Sequence, residues 1–115
     1  MMSSELVIDM KLALASIGEI INEKSNDKSI LDSCQLVMSE VKKAIKSYGG
    51  DVKKQTNLEI TELFGLFRTR ITLMLLRDVN RFGENDSKVE ESITIVLNLI
   101  EEKISRLKEG KEKSR

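Results

Sequence analysis

Along four stretches of this chain, isoleucine, leucine, valine and methionine return every three or four residues. A helix turns once in 3.6 residues, so this spacing gathers apolar side chains on one side; a strand repeats every two. From Glu5 to Lys24, Leu6, Met10, Ala13, Leu14, Ile17, Ile20 and Ile21 form one stripe. From Ser29 to Tyr48, Ile30, Cys34, Val37, Met38, Val41, Ala44, Ile45 and Tyr48 form another. A further stripe, Val89, Ile93, Val96, Leu97, Ile100, Ile104 and Leu107, follows an N-cap at Asp86 or Ser87. Its "ITIVLNLI" segment has the composition of a strand, but the spacing continues to Leu107 and decides for a helix.

The punctuation between stripes agrees. "SNDK" interrupts the first, because Ser, Asn and Asp draw the backbone out of the helix. Gly49 and Gly50 end the second, and Gly83 with the polar "ENDS" separates the third from the fourth. The absence of proline also argues against a turn-rich all-β fold. Helices of about 20 residues span ~30 Å, and short connections favour antiparallel neighbours. The sequence therefore predicts an all-α fold, an antiparallel up-down-up-down four-helix bundle. Residues 1–110 form its single domain and 111–115 a frayed charged tail, with Gly110 as the last helix stop.

The remaining helix, starting near Thr56 or Asn57, carries more apolar residues than one stripe needs. Ile60, Leu63, Phe64, Phe67, Ile71, Met74, Leu75 and Phe82 make a broad face, which the pattern assigns to the core. The opposite face then bears Glu59, Glu62, Leu66, Thr69, Arg70, Leu73, Arg77 and Asn80. It runs from acidic through leucine to basic, so an antiparallel copy would match it. Leu66 would meet Leu73, Glu62 would meet Arg77, and Thr69 would face Arg70. This self-complementarity predicts a homodimer through Glu62, Leu66, Thr69, Arg70, Leu73 and Arg77. Four leucines at ~1.5–3 kcal/mol each barely offset an association cost of roughly 4–15 kcal/mol. Ile8, Leu12, Ile95 and Leu99 are the apolar residues outside the main stripes that could enlarge the contact.

The side-chain inventory constrains chemistry. There is no histidine, which removes the commonest general base and metal ligand. One cysteine, Cys34, allows neither an internal disulfide nor a thiolate zinc cluster, and it sits within an apolar stripe. No phosphate loop, dinucleotide fingerprint or nucleophile elbow occurs. The expectation is a non-enzymatic interaction protein without cofactor or metal, working through protein surfaces. Its partners would be a second copy and an unidentified protein. No stretch is long and apolar enough to span a membrane, and "MMSSELVIDM" lacks the basic start of a signal peptide, so a cytoplasmic setting is expected. Nineteen basic and nineteen acidic residues cancel, which offers no global attraction to nucleic acid. Locally, Lys42, Lys43, Lys46, Lys53 and Lys54 cluster around the end of the second helix. The alternative expectation is that they contact nucleic-acid phosphates.

Overall fold

The computed structural model describes residues 2–50 and 62–113. They form α1 (Met2–Glu23), α2 (Lys28–Ser47), α3 (Glu62–Phe82) and α4 (Ser87–Lys113), with no strand among the described residues. The "ITIVLNLI" segment lies inside α4. The last helix continues through Gly110 to Lys113, past the glycine expected to stop it.

The helix ends follow local chemistry. Before α2, the Asp27 carboxylate accepts from the amides of Ser29 (3.1 Å) and Ile30 (3.3 Å), two donors left without an intrahelical partner. Asp86 does the same for α4, accepting from Lys88 at 2.9 Å and Val89 at 3.4 Å. At the far end of α2, the Gly49 amide donates to the Lys46 carbonyl and the Gly50 amide to that of Ile45. This paired closure requires a left-handed residue, supplied by Gly49 at φ +78°. Gly50 meets a second constraint, because a β-carbon there would come within 2.9 Å of Val7 on α1. Between α3 and α4, the Asn80 side chain donates to the Asp86 carbonyl (3.0 Å) and accepts from its amide (3.2 Å). Arg81 adds a 2.6 Å hydrogen bond to Glu90.

α1 packs against α2 and α3, and α4 also packs against α2 and α3. The helix pairs that close the assembly are therefore α1 with α3 and α2 with α4. In the simplest sequential bundle α2 and α3 would instead be neighbours. The core joins Met10, Ile17 and Ile20 of α1, Cys34, Val37, Val41 and Ile45 of α2, Leu66 and Leu73 of α3, and Val89, Ile93, Val96, Leu97, Ile100 and Ile104 of α4. The expected stripes of α1, α2 and α4 thus face inward, apart from Tyr48, which is exposed. Leu12, expected outside its stripe, is buried, while Ile8 is exposed and Leu99 packs partly against the core. Burial pushes the Cys34 thiol up, which favours the unreactive protonated form.

α3 departs from expectation, and its orientation is the main correction. Leu66 and Leu73 are 2% and 0% exposed, with Thr69 and Thr72 buried beside them. Most of the face assigned to the core points outward: Phe64, Ile71, Met74, Leu75 and Phe82 are exposed, while Leu63 and Phe67 at its edge pack partly against the core and Ile60 lies outside the described residues. Leu66, Thr69, Leu73 and Leu76 follow a 3-4-3 spacing, a narrow strip that other helices can approach closely. Threonine tolerates this burial because its hydroxyl finds a partner on its own helix. Thr69 donates to the Gly65 carbonyl at 2.8 Å and Thr72 to the Arg68 carbonyl at 2.9 Å.

One charge is held inside. Lys103 of α4 is buried and donates to Glu23 (2.9 Å) and Glu19 (3.3 Å) of α1. Burial alone would lower its pKa, but hydrogen bonds and charge from the two glutamates outweigh that and raise it above the ordinary lysine value.

Candidate interaction face

Turning α3 by ~100° per residue places its two apolar strips on opposite sides of one cylinder. The inner strip holds Leu66, Thr69, Leu73 and Leu76. The outer one is centred on Phe64, Ile71, Leu75 and Phe82, with Met74 and Val79 on its flanks. Phe82 is 92% exposed and Val79 67%, well beyond the scattered apolar exposure normal for a protein surface. Phe67 lies at the edge, partly buried, with the Arg70 guanidinium and the Lys108 ammonium 5.2 and 5.3 Å from its ring centre.

Two charges punctuate the outer strip. Arg68 stands over the Phe64 ring at 5.3 Å, and its Nε lies 3.7 Å from the Asp9 carboxylate on α1. A guanidinium has five donors, so this contact leaves capacity for another carboxylate. Asp78 is exposed within the strip, and its charge acts on Arg81 one turn further on.

The expected dimer residues scatter about this geometry. Leu66, Thr69 and Leu73 belong to the core and cannot form a surface. Arg70 is partly buried and stacks on Phe67. Arg77 is partly buried, and its Nε has no acceptor among the described residues. The side chain of Glu62 lies outside the described residues. Of the lysine cluster, Lys42, Lys43 and Lys46 are exposed on α2, and Lys43 pairs with Glu40 at 3.3 Å. Lys53 and Lys54 lie outside the described residues.

Comparison of the chain with protein-family models, curated proteins and solved structures finds no match.

A shallow groove between the first turns of α2 and α4 is lined by Lys28, Asp32, Leu36, Lys88, Glu91 and Ile95 among others. Its lining mixes both signs of charge and gathers no reactive group. Among the described residues, no three His, Cys, Asp or Glu side chains come together as a metal-ion cluster. No helix among them is long and apolar enough to cross a membrane. The feature that stands apart is the outer strip of α3. The sequence pattern assigns Phe64, Ile71, Met74, Leu75 and Phe82 to the core and leaves out Val79, because apolar periodicity reports which residues avoid water and does not report what they face.

Proposed function

We propose that this chain is a non-enzymatic helical interaction protein, an adaptor, regulator or assembly subunit that works by presenting the outer face of α3 to another protein. The supporting observation is the continuous exposure of Phe64, Ile71, Met74, Leu75, Val79 and Phe82 along one helix. The largest apolar patch on a typical soluble monomer is about 300–600 Å² and is itself often functional. Taking the aromatic range of about 150–250 Å² per side chain as an upper bracket and roughly half exposure, this face offers roughly 600 Å², the top of the monomer range. The core is complete without it, since Leu66 and Leu73 already supply α3's share. Selection for folding alone gives no reason to keep these six positions apolar.

Chemical crosslinking in cells expressing the chain tests the reading. The wild type should appear in species heavier than a monomer. An Ile71→Ser, Leu75→Ser variant should lose them while keeping its helical circular dichroism. An unchanged crosslinking pattern in that variant would assign binding to another surface.

A further inference from the structure

The charges on the outer face of α3 specify a partner. Successive residues at spacings of four and three, Phe64, Arg68, Ile71, Leu75, Asp78 and Phe82, form a seam of the kind that one helix presents to another in a coiled coil. Read backwards, the seam is its own complement. Set against an antiparallel copy, Phe64 meets Phe82, Arg68 meets Asp78, and Ile71 meets Leu75, each pair occurring twice about a two-fold axis. In an antiparallel pair these residues share layers, side by side across the interface.

From this we infer that the occupant of the face is a second copy of this chain, joined through antiparallel α3 helices in an isologous dimer. The inference rests on the reading of α3 as an interaction face and names its partner. Charge complementarity selects this occupant. A parallel in-register copy would set Arg68 against Arg68 and Asp78 against Asp78. An arbitrary apolar helix would leave both charges facing hydrocarbon. In the antiparallel dimer each Arg68 spans Asp9 of its own chain and Asp78 of its partner, so neither charge in the seam is left unpaired. The area also fits. Two faces of roughly 600 Å² bury about 1,200 Å² together, the lower end of specific interfaces. That size corresponds to a reversible dimer and not a permanent one.

Sedimentation equilibrium of the purified full chain decides the matter, with circular dichroism confirming the fold of each variant. The wild type should interconvert between monomer and dimer with concentration. Asp78→Arg should weaken association at least about tenfold, because it places two arginines in each charged layer. Arg68→Asp should do the same by placing two aspartates there. An equimolar mixture of these two variants should recover dimers, since each chain then supplies the charge that the other needs. A fold damaged by either substitution would not be rescued by mixing. A wild type that stays monomeric at millimolar concentration would overturn the self-dimer. If its crosslinks in cells still depended on Ile71 and Leu75, the broader interaction reading would stand without it. A dimer insensitive to both charge reversals, or a mixture that fails to recover, would overturn this pairing.

Discussion

Lys103 shows how a single buried charge can be tolerated between helices that otherwise meet through hydrocarbon. Its side chain is buried, and its ammonium reaches Glu19 and Glu23 on α1. Both glutamates are half-exposed or more, so solvent screens the pairs and each contributes no more than ~1 kcal/mol. The sign of the pH dependence follows from the raised pKa. Where the folded pKa exceeds the unfolded one, the native state holds the proton more tightly. The stabilisation is therefore fully present below the ordinary lysine value of about 10.4 and is lost as pH rises through the folded-state value. Lys103→Met keeps the stem and removes the charge. Urea midpoints measured from pH 8 to 11 should fall more steeply above pH ~10 in the wild type than in this variant. Parallel curves would mean that Lys103 takes no part in the alkaline loss.

At the scale of the element, α3 is a helix with two apolar sides and one core. Substitutions one turn apart in chemistry but opposite in direction should separate them. Leu73 is fully buried, so Leu73→Ala should cost about 2–5 kcal/mol through lost transfer energy and a cavity. Leu75 is half-exposed, and in dilute solution, where the chain is monomeric, Leu75→Ala should change stability by no more than about 0.5 kcal/mol. Denaturant unfolding at low concentration checks both, and equal losses would mean that α3 is turned the other way. The same helix marks how far the sequence was legible. In α1, α2 and α4 one stripe is clearly the more apolar, so periodicity identified the core side, missing Leu12 of α1, and Asp86 and Gly49 marked helix ends by their backbone chemistry. In α3 the aromatic side outweighed the other in apolar content, and Thr69 counted as polar. Its hydroxyl is satisfied by the Gly65 carbonyl, which lets it enter the core beside Leu66 and Leu73. A charged residue on the broad face was the available signal: Asp78 fits poorly in a core and well in a paired seam. The pairing of α2 with α4 was not legible either, because connection length does not say which helix lies across the core.

For the whole molecule, the proposed self-association would make association and folding one equilibrium. In the proposed dimer residues of α3 serve both, its inner strip holding the four helices together and its outer strip meeting the second copy. A dimer in which only the folded chain participates must gain stability with concentration, because mass action removes folded monomers from the unfolding equilibrium. At a hundred times the dissociation constant, this stabilises each chain by about 1.5 kcal/mol relative to high dilution. A domain of this size shifts its melting temperature by roughly 4–8 °C per kcal/mol, so the wild type should melt about 6–12 °C higher when concentrated. Asp78→Arg removes no core contact, so its melting temperature should match the wild type at high dilution and rise clearly less than the wild type over the same range. Mixing it with Arg68→Asp should bring the concentration dependence back. A wild-type melting temperature that is flat from micromolar to millimolar concentration would mean that the outer face of α3 does not recruit a second copy. The exposed Phe64, Ile71, Leu75 and Phe82 would then have to be matched by a partner whose own surface carries an acidic group for Arg68 and a basic one for Asp78.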